Sequence, residues 1–298
     1  GISEAVIDSR LAIPASLFVA VENGHQFVKA AFRRGSNLAL IQQEVDADIT
    51  VLDLTVPFTT QTVIPEPPFA IRVEDTTASL QKMAAFWRKR FLIRVLGITG
   101  SVGKSTTKEL VAEVLSQRYR TLKNMGNYNN EIGLPLTLLR LTAGYECAVL
   151  EMGFYIPGEI KLLCDIALPQ VGIITNIGTV HAERAGSQAA IAKGKSELVQ
   201  ALSESPVGTA ILNLDDPWVV PMAKQTKANV FFYGLDPKAD LWADEIVSQG
   251  LNGIRFRLHY LGESYPMQAP VIGQHSIHTV LRAASAALIA SCALATEG

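Results

Sequence analysis

The sequence predicts an α/β protein in two parts: a small N-terminal α/β domain over 1–75 and a larger domain over 76–298 with a mostly parallel sheet and helices on both faces. Three observations predict it. At 298 residues the chain exceeds what one small core organises. From Leu92 onward, apolar runs of strand length alternate with amphipathic stretches of helix length, the pattern of buried parallel strands. A Thr- and Pro-rich segment, TVPFTTQTVIPEPPFAIRV (55–73), breaks regular structure between the two parts.

The elements follow in order. ASLFVAV is a strand, HQFVKAAFRRG a short helix closed by Gly35, and LALIQ and ITVLDL are further strands. EDTTASLQKMAAFWRKRF reads as a helix capped by Asp75 or Thr76. LIRVLGI is a strand, KSTTKELVAEVLSQR a helix, YRTLKN and YECAVLEM strands, IPGEIKLLCDI a helix and QVGIITNI a strand. The helix QAAIAKGKSELVQAL precedes the strands GTAILNL and NVFFYG. Beyond residue 240, GIRFRLHYL and SYPMQAPVIG form an antiparallel hairpin that leads into an Ala-rich last helix. No internal repeat interrupts this series.

Composition narrows the class. Hydrophobic residues make up 48% and charged residues 18%, an ordinary globular balance. A formal charge of -2 gives no basic field for nucleic acid, so no nucleic-acid partner is expected. Cys147, Cys164 and Cys292 stand in no CxxC or Cys/His cluster, which fits a reducing compartment and buried thiols. The first ten residues carry acids where a signal peptide needs basic and apolar regions. The longest apolar stretch, 283–295, is too short to span a bilayer. A cytoplasmic protein without a membrane span is expected, and a monomer.

One motif carries chemistry. GITGSVGKSTTKE (97–109) runs from strand through a glycine turn into a helix. Gly100 and Gly103 permit backbone N–H groups to turn toward an anion, and the helix start adds its positive dipole end. Lys104 reaches phosphates and the Ser105 hydroxyl ligates Mg²⁺ in such a P-loop-type domain. The usual spelling GxxxxGK[ST] wants Gly at residue 98, which here is Ile98. A metal site also needs an acid at a neighbouring strand end, and CAVLEMG supplies Glu151. The next strand ends in Asn176 and reaches His181. Ser105, Glu151, Asn176 and His181 therefore fall at the carboxyl edge of the sheet, where ligands bind in such folds.

The spelling GITGSVGKS, without a Gly at residue 98, resembles the nucleotide loop of the Mur ligase family. NYNNEIGLPLTLL (127–139), EMGFYIPGEI (151–160), TNIGTVHAERAGS (175–187), IAKGKSEL (191–198) and the N-terminal DSRLAIPASLFVAV resemble the MurF type of that family, over nearly the whole chain. The resemblance implies an ATP-dependent amide-bond ligase of cell-wall (peptidoglycan) synthesis, with UDP-N-acetylmuramoyl-tripeptide and D-alanyl-D-alanine as substrates. It implies nucleotide binding by Gly100, Ser101, Val102, Gly103, Lys104, Ser105 and Thr106, with Asn176 and His275. It implies magnesium held by Ser105, Glu151, His181 and a carbamylated Lys195, the spelling GKSEL favouring Lys195 over Lys193. Lys104, Glu151, His181 and Lys195 would be the catalytic set. Ser9 and Arg10 match contacts to the uridine diphosphate part, and Asn127 and Asn130 to the muramoyl part.

The resemblance departs at three places. Ser276 and Thr279 stand where the family has Asn near the adenine. The loop ENGHQF is shorter than the family's Gly- and Asp-containing loop. The family's C-terminal ligase domain, with its YNANP-type motif, is expected to be absent, because residue 298 falls where it begins. Three rival readings remain: a non-catalytic Mur-like binding protein, another amino-acid ligase of the superfamily such as a folylpolyglutamate synthase, and a simple P-loop kinase or ATPase, which leaves the N-terminal domain and His181 unexplained.

Overall fold

The computed structural model describes residues 1–57, 59, 62–178 and 187–294. It divides into two compact units, one of 1–90 with 131–141 and one of 91–130 with 142–298. The helices are α1 (Val28–Arg33), α2 (Thr76–Arg88), α3 (Lys104–Ser116), α4 (Gly133–Leu138), α5 (Glu159–Ala167), α6 (Gln188–Gln200) and α7 (Ile277–Leu294).

The first unit holds a parallel sheet of β1 (Ala5–Val6), β2 (Leu17–Val19), β3 (Leu38–Ile41), β4 (Val51–Asp53) and β5 (Phe69–Arg72), in the order β1-β2-β3-β5-β4. Period-two alternation sorts its side chains onto two faces. Phe18, Ala39, Ile41 and Ala70 pack with Val28 and Ala31 of α1. Leu17, Val19 and Leu40 pack with Leu80 of α2 and Leu136 of α4.

Two expectations change here. The Thr/Pro-rich segment was expected to lack regular structure, yet its end is β5, paired with both β3 and β4. The strand starts directly after Pro67 and Pro68, where the backbone N–H groups needed for pairing resume. Helix α2, assigned by the sequence to the second domain, belongs to the first unit. Asp75 caps it by accepting from the Ala78 N–H at 2.8 Å, and the buried Thr76 hydroxyl donates to the Ala20 carbonyl at 2.9 Å. The inserted 131–141 carries α4, a helix the sequence reading did not assign. All six of its residues are buried. Pro135 stands in the first turn, where the missing N–H leaves no bond unmade.

The second unit holds a nine-stranded sheet. Its strands are β6 (Arg94–Thr99), β7 (Thr121–Lys123), β8 (Cys147–Glu151), β9 (Val171–Ile174), β10 (Thr209–Asn213), β11 (Asn229–Gly234), β12 (Leu241–Ser248), β13 (Ile254–Tyr260) and β14 (Glu263–Ala269). The order is β14-β13-β12-β11-β10-β9-β6-β8-β7. Pairing is parallel from β7 to β12 and antiparallel from β12 to β14. The hairpin beyond residue 240 is therefore present. Strand β12 before it was not anticipated, because Asp244 and Glu245 interrupt its apolar run at a register shift. On one face α3 and α7 pack through Val111, Leu115, Leu281 and Ala286 onto Ile98, Val149, Ile173 and Tyr233. On the other, Leu198 of α6 lies directly over Gly97 and Gly172, where a Cβ would meet it at 2.9 and 3.1 Å.

Strand β6 lies between β8 and β9, although β7 and β8 both follow it before β9 on the chain. The connections thus leave β6 first to one side and then to the other. A crevice forms at the carboxyl end of such a switch point.

Candidate functional site

The glycine loop opens at that switch point. Ile98 is fully buried and pairs with Glu151 on one side and Ile173 on the other, so the position a general P-loop gives to glycine is mid-sheet here. The turn begins at Gly100, with φ +148°, and a Cβ there would lie 1.8 Å from the Thr175 hydroxyl oxygen. Gly103, with φ +82°, precedes α3 and provides no side-chain cap. The first N–H groups of α3 are thus left for an anion.

The end of β9 holds the loop in shape. Thr175 Oγ1 donates to the Val102 carbonyl at 2.8 Å. Asn176 accepts from the Val102 N–H at 3.1 Å and donates to its carbonyl at 3.0 Å. The Asn176 carbonyl accepts from the Ser101 N–H at 2.9 Å, and Ser101 Oγ accepts from the Gly178 N–H at 2.9 Å. The Asn176 side chain, expected against nucleotide, is occupied by the loop backbone while still lining the cleft.

Two lysines meet the loop from opposite directions. Lys104 Nζ donates to the Gly100 carbonyl at 3.0 Å, and Lys195 Nζ donates to the same oxygen at 2.8 Å. Lys195 is buried, whereas Lys193 is exposed. Gly194 makes room for the Phe154 ring, which a Cβ would meet at 1.9 Å, and the Lys195 amine lies 4.9 Å from that ring's centroid. Desolvation, and secondarily the charge of Lys104, push the Lys195 amine down to about 7. Desolvation also lowers Lys104, opposed by the Glu151 charge.

Glu151 closes β8 as a buried carboxylate. Oε1 accepts from Asn129 Nδ2 at 2.9 Å, while Oε2 has no partner among the described residues. An unsatisfied buried carboxylate oxygen costs free energy unless a cation completes it. Asn124 fixes the Glu151 backbone: its Oδ1 accepts from the Glu151 N–H and its Nδ2 donates to the Glu151 carbonyl, both at 2.9 Å. An unpaired carboxylate oxygen of this kind suits a hard divalent cation, and the Ser105 hydroxyl is exposed. His181 lies outside the described residues.

A cleft of about 460 Å³ extends from this loop toward α7. Val102, Gly103, Thr106, Asn176 and His275 line it. Ser276 and Thr279, which stand where Asn was expected, line it too, but their hydroxyls are engaged. Ser276 Oγ donates to the Ile272 carbonyl at 2.6 Å, and Thr279 Oγ1 accepts from Arg282 Nη2 at 2.8 Å.

In the first unit, Ser9 is buried and Arg10 is exposed, with its guanidinium on Asp8 at 2.6–3.1 Å. The Arg10 hydrogen bonds hold the Asp8 carboxyl down at about 2. Asn127 and Asn130 are exposed. Sequence reasoning missed Asn124, Asn129, Phe154 and Arg282. Of these, the run NYNN alone signalled side-chain amides at this edge.

Residues 98–287 match the model of the Mur ligase middle domain. The chain belongs to the Mur ligase family, and within it to the MurF group. It is 38% identical over 240 residues to a UDP-N-acetylmuramoyl-tripeptide–D-alanyl-D-alanine ligase of Synechocystis sp., a match that covers 79% of this chain and 49% of that protein. Its structure is similar to MurF from Acinetobacter baumannii, with a TM-score of 0.83 at 28% identity, over 97% of this chain and 60% of the other. MurF ligase from Thermotoga maritima in complex with ADP gives 0.78 at 25% identity, over 95% and 62%. The chain therefore spans about half to three fifths of the length of these relatives. Among the described residues no helix is long and apolar enough to cross a membrane.

Proposed function

We propose that the chain acts in ATP-dependent amide-bond formation in peptidoglycan precursor synthesis, joining D-alanyl-D-alanine to UDP-N-acetylmuramoyl-tripeptide. The observation that carries this reading is Glu151: a buried carboxylate with one oxygen unpartnered among the described residues, at the switch point, beside the glycine loop and Lys104. The reaction brings together two anions, a peptide carboxylate and a triphosphate. The carboxylate oxygen takes the γ-phosphoryl group and ADP leaves. The incoming amine then attacks the acyl carbon, and phosphate departs from the tetrahedral intermediate.

Lys104 and the N–H groups at the start of α3 offset the repulsion between those anions. Ser105 and Glu151 would hold Mg²⁺, which when bound neutralises charge on the phosphoryl oxygens. His181 and a carbamylated Lys195 would complete a second metal site. Carbamylation needs an uncharged amine, and burial supplies one near neutral pH. It would turn the cation on the Gly100 carbonyl into an anionic ligand. In the first unit, Ser9 and Arg10 would take the uridine diphosphate.

The test is titration of the 298-residue chain with UDP-N-acetylmuramoyl-tripeptide and, separately, with folate, followed by ADP release in the presence of all substrates. Binding of the muramoyl substrate and not folate is expected, with weak ligation by the 298 residues alone. Folate binding would sink the assignment, and steady ADP release requiring both peptide substrates would contradict the expected weakness. The engaged hydroxyls of Ser276 and Thr279 favour a second reading, a Mur-like protein that binds without ligating. ADP release by the protein in its longest natural form would dismiss it.

A further inference from the structure

Arg282 lies on α7, and only 4% of it is exposed. Its three hydrogen-bond partners among the described residues are all neutral hydroxyls. Nε donates to Thr107 Oγ1 at 2.9 Å, Nη1 to the Tyr233 hydroxyl at 3.2 Å, and Nη2 to Thr279 Oγ1 at 2.8 Å. Among the described residues no carboxylate forms an ion pair with it. The nearby acids serve other donors: Asp215 accepts from His278 and from the Leu235 and Asp236 N–H groups, and Asp216 from the Ile177 and Trp218 N–H groups. A guanidinium carries five N–H donors, so two remain beyond these three bonds.

A buried cation without a counter-charge is unfavourable unless an anion completes it. The position of this one says where that anion comes from. Arg282 lines the cleft that opens at the glycine loop. A Cβ on Gly103 would lie 3.3 Å from Arg282 Nη2, so the guanidinium abuts the residue from which α3 starts. Thr107, which orients Nε, is one turn further along the same helix.

We propose that Arg282 is a phosphate-binding residue of this cleft, a second fixed cation that works with Lys104 on the polyphosphate of a nucleotide. The inference rests on the reading of the cleft as a nucleotide site. It assigns to α7 a part in phosphate recognition beside any part in holding the base. Thr107, Tyr233 and Thr279 position the guanidinium, leaving its remaining N–H groups for the phosphate oxygens that guanidinium recognises well.

The test is calorimetric titration of the wild-type chain, Arg282→Gln and Arg282→Lys with ATP, ADP and adenosine, folding being checked by circular dichroism. In Arg282→Gln, affinity for ATP and ADP is expected to fall at least about tenfold. Adenosine affinity should change less than about twofold, and Arg282→Lys should fall between Arg282→Gln and wild type. A purely structural Arg282 would weaken all three ligands alike, and that result, or unchanged ATP affinity, overturns the proposal. Wild-type chain that is folded yet binds neither ATP nor ADP overturns the nucleotide reading as well. Should Arg282→Gln fail to fold, a crystal structure of the wild-type chain with ADP decides. A guanidinium nitrogen within about 3.2 Å of a phosphate oxygen supports the proposal, and none within that distance overturns it.

Discussion

At Glu151 and at Lys195 burial and charge conflict. Glu151 Oε2 has no partner among the described residues, so the carboxylate is held at a cost that a cation would relieve. The Glu151→Gln variant keeps an oxygen for Asn129 and loses the charge. Its melting temperature should equal or exceed that of the wild type, while Mg²⁺ should no longer strengthen ADP binding, as read by titration with and without Mg²⁺. Lys195 makes a pH prediction. Burial lowers its amine to about 7 from an ordinary 10.5. Between those values the unfolded chain holds a proton that the folded chain gives up, so stability rises with pH across that window. Below about 7 both states are protonated, and the term is constant. Lys195→Met should flatten the rise, as measured by urea unfolding at a series of pH values.

At the scale of elements, the site is a set of strand ends fixed by side-chain amides. Asn124, directly after β7, is fully buried and bonds both backbone groups of Glu151 and the Tyr128 carbonyl. Its own carbonyl accepts from Lys108 Nζ at 2.9 Å. Asn124→Ala would strand the Glu151 N–H and carbonyl, and is expected to cost about 2–4 kcal/mol in chemical denaturation. The sequence made the glycine loop and the strand ending in Glu151 legible, because loop geometry and a carboxylate after an apolar run are local signals. It pointed to Asn127 and Asn130 as contacts to the muramoyl part, and did not signal the bonds of Asn124 and Asn129 to Glu151. Which amide faces a carboxylate depends on how β7 lies beside β8, and spacing along the chain does not encode that. Arg282 was hidden for the same reason, since an arginine within an Ala-rich helix reads as an outward-facing cation. Strand β5 was obscured by the prolines before it, and β12 by its own acids.

At the scale of the molecule, each unit has its own sheet and cores, and the chain crosses between them near residues 90, 131 and 141. The insertion of 131–141 explains why a boundary read as a single break in composition misplaced α2: one unit is assembled from two stretches of sequence. In the second unit, the reversal of connections around β6 gathers the glycine loop, Glu151 and Asn176 at one edge of the sheet. We expect this edge to bind a nucleotide through its phosphates. Calorimetric titration of the 298-residue chain with ATP and Mg²⁺, beside a folded Lys104→Met variant, tests it most directly. Mg²⁺-dependent binding by the wild type that weakens at least about tenfold in Lys104→Met is the expected result. No binding by folded wild-type chain, or equal binding by both, would contradict it.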